Sequence, residues 1–381
     1  MANHTTQKPP KEAIARSKKP VFPAGLLLST SRLVNLRKKH TEGVLSAEES
    51  EAFILAGNAG HAAAVKEASM SPRERFEKIK AGEADYLIIR CSDARVHKSD
   101  SETDSLVGMH VYIAGNVVPG GHTVSQEELV DALSLLRPGG VVVVEGHCHC
   151  GAVAECVKWT ANGKGRTGSE PLDHLLQEIV GSTPESNAMG QHEKLRKVAQ
   201  LLDKQVVCMM YDWDRGTIDV LDKGSSDLVQ LLSDSFALQH KKADPDGKLG
   251  QKIAKQKPHA IAIAYSQLPF SVSTITRAEQ NEIFNTTGSE GGLDDFDAAS
   301  ILYAVSHLKV RHIPFIAPLT GGKPGKVSKM FDKWEADLRA MTVDGEPMMA
   351  KMLDSGELKI SRLGYDLDTG VLKTLGKSTG I

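Results

Sequence analysis

Residues 84–95 read Ala-Asp-Tyr-Leu-Ile-Ile-Arg-Cys-Ser-Asp-Ala-Arg, and residues 141–151 read Val-Val-Val-Val-Glu-Gly-His-Cys-His-Cys-Gly. Each is a short apolar run that ends in side chains able to bind a metal. Runs of this length and β-branched content suit buried parallel strands. Between them, His110–Ala114 reads as a further strand, and Gln126–Arg137 as an amphipathic helix stopped by Pro138-Gly139-Gly140. Strand, helix, strand at this spacing is the βαβ pattern of a parallel sheet covered by helices. Upstream, helices are expected over Ser46–Gly57 and His61–Glu67. Ser71-Pro72 opens another, with Ser as N-cap and Pro at the first helical position, and Gly82 stops it after Ala81.

The pattern recurs. Tyr211-Asp212-Trp213-Asp214-Arg215-Gly216 returns as Tyr365-Asp366-Leu367-Asp368-Thr369-Gly370, each suiting a hairpin turn with glycine at positive φ. Tyr86–Ser92 has a counterpart in Ala260–Ser266, the stretch Leu129–Val144 aligns with Ala299–Pro314, and Gly115-Asn116 stands beside Phe284-Asn285. The fold class expected is α/β, with two copies of one unit. Each is a mainly parallel sheet with an antiparallel terminal strand, flanked by helices. The copies span 42–222 and 257–381. They are joined by a segment 223–256 that holds a helix (Asp227–Gln239) and a polar loop (Lys241–Lys257).

The 381 residues include 46 Lys+Arg and 48 Asp+Glu, with 40% hydrophobic residues, the composition of an ordinary globular chain. The near-neutral balance argues against a nucleic-acid binder, and no apolar run reaches the ~18 residues of a membrane span. Residues 1–41 form a basic arm, since the first 40 contain nine Lys and Arg against Glu12 alone. It reads as a solvated tail ending in a docking helix around Ser29–Lys39; a partner-docking arm or an organelle-targeting signal fits the same composition. Five sparse cysteines do not make a disulfide framework. They point to a reducing compartment, the cytoplasm, where clustered Cys and His mean metal binding or catalysis.

In a parallel sheet, loops at the carboxyl ends of neighbouring strands converge on one crevice. Cys91 and the pair His147/Cys150 therefore meet there, and two thiolates with one imidazole suit Zn²⁺. The duller readings are a buried thiol at Cys91, a redox pair Cys148/Cys150, a turn cap at Asp93 and a surface cation at Arg95. Cys156 and Cys208 read as core thiols; Cys148 and His149 are expected to point away from the ion.

The arrangement resembles the β-class carbonic anhydrases. Cys91-x-Asp93-x-Arg95 and His147-x-x-Cys150-Gly151 match that family's two motifs, and Ser71-Pro-x-x-x-Phe76 and Ala114-Gly115-Asn116 extend the likeness. The resemblance implies one zinc per chain on Cys91, His147 and Cys150, with hydroxide as fourth ligand attacking CO₂ to give bicarbonate. Asp93 would orient that hydroxide, and Arg95 would keep Asp93 ionised. Tyr112 and Ile113 replace the family's usual Arg-Asn pair. In the second copy Tyr265, Gln267, Pro269, Ala317 and Thr320 stand at the Cys, Asp, Arg, His and Cys positions, so that copy holds no metal. Because the family's clefts lie between subunits, the chain is expected to be a pseudo-dimer whose second half walls the cleft of the first. The partners expected are thus CO₂ and bicarbonate, with further homo-oligomerisation open. Hydrolysis of COS or CS₂ on the same scaffold, and a non-catalytic zinc-stabilised protein, are the alternatives.

Overall fold

The computed structural model describes residues 24–43, 45–96, 106–119, 124–200, 204–215, 217–222, 253–320 and 324–376, with positions 228, 230, 232, 234 and 250. The tail before residue 24, Gly120-Gly121, Gly216, and most of the expected linker helix and polar loop lie outside the described residues.

Two five-stranded sheets organise the chain. In the first, β1 (Ala84–Arg90), β2 (Gly108–Tyr112), β3 (Leu136–His147), β4 (Gln205–Asp212) and β5 (Thr217–Asp222) stand in the order β2-β1-β3-β4-β5. In the second, β6 (Ala260–Tyr265), β7 (Ile283–Gly288), β8 (His312–Leu319), β9 (Lys359–Asp366) and β10 (Leu372–Thr374) stand in the order β7-β6-β8-β9-β10. Place for place these orders are the same, and in each only the last strand, β5 or β10, pairs antiparallel. Leu87–Ile89, Val141–Val144 and Ala260–Ile263 are fully buried, which is why these strands read as unbroken apolar runs.

Local signals act as the sequence suggests at several points. Ser71 caps helix α3 (Pro72–Lys80) in a capping box with Glu74, after helices α1 (Ala24–Thr41) and α2 (Ala47–Ala64). Gly82 and Gly370 take positive φ, 75° and 69°, at the stops where glycine was expected.

Three expectations change. The two short helices over 46–67 are one, α2, because Gly57 and Gly60 serve packing rather than termination. A Cβ on Gly57 would lie 1.7 Å from the Thr276 carbonyl oxygen, so the glycines let α2 press on the second half of the chain. Pro138-Gly139-Gly140 does not follow a helix directly. Helix α4 (Val124–Ser134) ends earlier, and the triplet is an irregularity inside β3, between the pairs Ala84/Leu136 and Tyr86/Val141. Finally, β2 stops at Tyr112 and Asn116 sits in a 3₁₀ turn (Ala114–Asn116), whereas Asn285 lies mid-strand opposite Ala262; these two asparagines are not equivalent.

The halves interlock. Helix α2 lies on the second sheet, where Asn58 donates to the carbonyls of Ile275 and Gly370, and Ile54 joins the core beside Ala262. Arg37 of α1 reaches Glu282 (2.9 Å) and Glu279 (2.8 Å). Where edge strands β2 and β7 meet, the Tyr112 N–H donates to Thr287 Oγ1 (2.7 Å), the Thr286 hydroxyl to the Tyr112 carbonyl, and the Asn285 N–H to the Ser92 carbonyl. Helix α9 (Asp295–Ser306, following α5–α8 at Gly151–Ala161, Glu170–Glu178, Pro184–Gln200 and Val272–Thr276) places Phe296 and Ala299 in one cluster with Cys91, Cys150 and Leu175. No helix among the described residues is long and apolar enough to cross a membrane.

Candidate metal centre

Cys91 follows the last residue of β1, His147 ends β3, and Cys150 is the N-cap of α5. Parallel pairing of β1 with β3, Arg90 opposite Glu145, brings these strand ends together. The Cys91 and Cys150 sulfurs are 4.0 Å apart, and both, with a His147 ring nitrogen, lie within 4.8 Å of one another. All three residues are buried. The turn between them works through His149, whose φ of 51° reverses the chain; His149 then faces Asp214 (2.6 Å) while residues 147 and 150 face inward.

His147 Nδ1–H donates to the Cys148 carbonyl (2.8 Å), which leaves Nε2 as the ring nitrogen open to a ligand. That Nε2 is buried with no hydrogen-bond partner among the described residues. A buried orphan nitrogen facing two sulfurs fits a cation. Two Zn–S bonds of ~2.3 Å at a tetrahedral angle separate the sulfurs by ~3.8 Å, close to the spacing seen. Burial works against a Cys91 thiolate, yet the hydrogen bond from Cys150 and the His147 charge outweigh it and hold Cys91 well below the usual thiol range. The bond to Cys91, with burial, pushes Cys150 up. The Gly115 N–H also donates to Cys91 Sγ (3.2 Å).

Beside this group, Arg95 grips Asp93 by Nε to Oδ1 (3.0 Å) and Nη2 to Oδ2 (2.7 Å), and its own backbone N–H donates to Oδ1 (2.9 Å). Burial penalises the carboxylate, but these bonds and the nearby His147 and Arg95 charges keep Asp93 below its ordinary range. Arg95 donates further to the carbonyls of His149 and Ala254 and lies over the Trp213 ring, 4.6 Å from its centroid. Trp213 also packs on His147, at 5.0 Å between centroids.

A small hollow of about 20 Å³ opens onto Cys91 and Asp93. Leu172, Leu175 and Leu176 form one wall, while Gln256 comes from the end of the joining segment and Phe284 and Tyr303 from the second half of the chain. Gly151 makes room for this wall, since a Cβ there would stand 3.1 Å from the Tyr303 hydroxyl. Burial pushes Tyr303 up to about 12, so it stays a phenol. Gln280 fastens the wall to the centre by donating to the Arg95 carbonyl (2.9 Å) and the Tyr211 hydroxyl (2.6 Å).

Every residue singled out in the sequence for this centre thus lies together. Those missed are Trp213, Gln256, Gln280, Phe284 and Tyr303. Trp213 stood inside the recurring Tyr-Asp hairpin and carried a local signal; the other four act across the boundary between halves and carried none. Cys148, His149 and Asp214 form a second, largely exposed group of ligand-type atoms within 4.8 Å of one another. No such group occurs in the second sheet among the described residues.

A parallel α/β sheet with two thiols, an imidazole and an arginine-held aspartate at its strand ends defines a candidate metalloenzyme. Residues 86–215, about a third of the chain, match the family model for carbonic anhydrase, so this stretch is similar to that enzyme family. Similar solved structures include a tetrameric β-carbonic anhydrase from Sordaria macrospora (21% identity, 40% of this chain and 98% of that one, TM-score 0.31). The Coccomyxa β-carbonic anhydrase in complex with acetazolamide matches at 20% identity, over 41% of this chain and 89% of that one, TM-score 0.32. The CafA enzyme of Aspergillus fumigatus matches at 18% identity, over 39% and 91%, TM-score 0.27. No curated protein matches the chain.

Proposed function

We propose that the chain is an internally duplicated carbonic anhydrase that hydrates CO₂ reversibly to bicarbonate with one zinc ion, held by Cys91, His147 and Cys150. On this reading 42–222 is the catalytic unit and 257–381 a degenerate copy. Residues 223–256 link the two, 1–41 is an arm, and the compartment is the cytoplasm. Zinc bound there supplies the Lewis acidity that makes water a nucleophile near neutral pH. Asp93, kept ionised by Arg95, accepts the water's proton in a hydrogen bond and so orients its lone pair. Leu175, Leu176 and Phe284 give the hollow an apolar wall suited to a small linear gas. The degenerate copy is retained because it adds Phe284 and Tyr303 to the lining. Assembly of such pseudo-dimers into a homo-oligomer belongs to the same reading.

The observation that carries this proposal is the convergence of Cys91, His147 and Cys150 beside the Asp93–Arg95 pair in a cleft built by both halves. Stopped-flow CO₂ hydration with metal analysis on the same samples tests it. The wild type should hydrate CO₂ at pH 8 with one zinc per chain, and Asp93→Asn should keep the zinc and lose most of the rate. A zinc-loaded wild type without hydration would refute the reading; turnover of COS or CS₂ by those samples would then identify a hydrolase on this scaffold.

A further inference from the structure

At the strand ends of the second sheet, where the sequence sets Tyr265, Ala317 and Thr320 in the places of Cys91, His147 and Cys150, the chain forms a hollow of about 340 Å³. This is within the size range of small-molecule sites and far larger than the hollow at Cys91. It occupies the crevice at the carboxyl ends of β6 and β8, the place where open α/β sheets bind ligands. Its floor is apolar: Phe76 from α3, Ala317 and Pro318 from β8, and Val327 and Met330 from α10 (Gly325–Ala340).

The rim is basic. Lys326, Lys329 and Lys333 follow one another at i, i+3 and i+7, so they share one face of α10 with Met330, and Lys80 closes the opposite side from α3. Lys326 leans on Glu290 (2.8 Å) and Lys333 on Asp337 (3.3 Å). Lys329 makes no ion pair with any described residue, and the first turn of α10, the positive end of its dipole, adjoins Lys326. An adjoining hollow shares Lys80, Tyr265, Glu290 and Lys326 and carries Glu127 and Asp131 from α4. Its acidic side directs an anionic group toward the α10 lysines.

We propose that this hollow binds a small organic anion: a flat apolar body about the size of a naphthalene on the Phe76/Met330 floor, and a carboxylate or similar head against Lys326, Lys329 and Lys333. A half that has lost its metal ligands thereby keeps a ligand site at the corresponding place. The inference stands on the hollow and its lysines, independent of what the Cys91 centre catalyses.

Calorimetric titration of the full chain with 1-naphthoate, 1-naphthamide and inorganic phosphate tests it. Naphthoate should bind one per chain and weaken as salt is raised; the neutral amide and phosphate alone should each bind at least tenfold more weakly. Lys326→Glu with Lys329→Glu, both on the surface, should lower naphthoate affinity at least tenfold, and Thr320→Trp should block it. No naphthoate binding, equal binding of the amide or of phosphate, or binding indifferent to both variants would overturn the proposal. CO₂ hydration on the same samples reports the Cys91 centre separately, so failure of one reading is distinguishable from failure of the other.

Discussion

Replacing Arg95 by Met keeps an unbranched stem over Trp213 and deletes every guanidinium donor. The structure sets the size of the effect. Asp93 is 3% exposed, and Arg95 provides its counter-charge together with side-chain bonds of 2.7 and 3.0 Å; the variant leaves only the backbone N–H of residue 95. Stranding a buried carboxylate in this way costs about 3–5 kcal/mol. The pH dependence has a definite sign. Asp93 is held below its ordinary value of 3.8, so the wild-type contact contributes stability above pH ~4 and loses it as pH falls through the folded value. The gap between wild type and Arg95→Met is therefore full at pH 7 and narrows in acid. Urea unfolding followed by circular dichroism at pH 7 and pH 3.5 measures it, and stopped-flow hydration should fall by roughly tenfold or more. A loss under about 1 kcal/mol at pH 7, or a gap that widens in acid, would refute the reasoning.

Gly57→Ala should destabilise by about 3 kcal/mol or more, because the new Cβ meets backbone and neither side yields; Gly325→Ala, with open space around it, should stay within about 0.5 kcal/mol. Ser50 Oγ bridges His259 Nδ1 and His312 Nδ1 at 2.7 Å each, and burial takes His312 down to about 3 from 6.5. Its folded value is depressed, so stability is present above pH 6.5 and drains away toward pH 3, by on the order of 4–5 kcal/mol. His312→Gln should flatten that slope in thermal melts across pH; Glu282, raised by burial to about 7, acts with the opposite sign between about pH 4.5 and 7 and is unchanged in the variant. Stripping metal with dipicolinate should lower Tm, and added zinc should restore it; an unchanged Tm in a metal-free sample would count against a bound ion at Cys91.

The strand cores and the metal centre were legible because their signals are local. Leu87–Ile89 and Val141–Val144 are buried on both faces and so read as unbroken apolar runs. Cys91, His147 and Cys150 lie at strand ends, where topology alone fixes who meets whom. What stayed hidden depends on contacts between the halves. Gly57 reads as the end of a helix until the Thr276 backbone is seen against α2. Phe284 and Tyr303 are ordinary residues whose role exists only because β7 and α9 pack against the first half of the chain. Asn285 resembled Asn116 by spacing, but a strand and a 3₁₀ turn place them differently.

X-ray absorption at the zinc edge, with the metal counted on the same sample, tests the central claim most directly. One zinc per chain with two sulfurs at ~2.3 Å and two nitrogen or oxygen neighbours at ~2.0–2.1 Å is the predicted result, and Cys150→Ser should reduce the sulfur count to one. A shell without sulfur, two zinc ions per chain, or a sulfur count indifferent to Cys150 would contradict it.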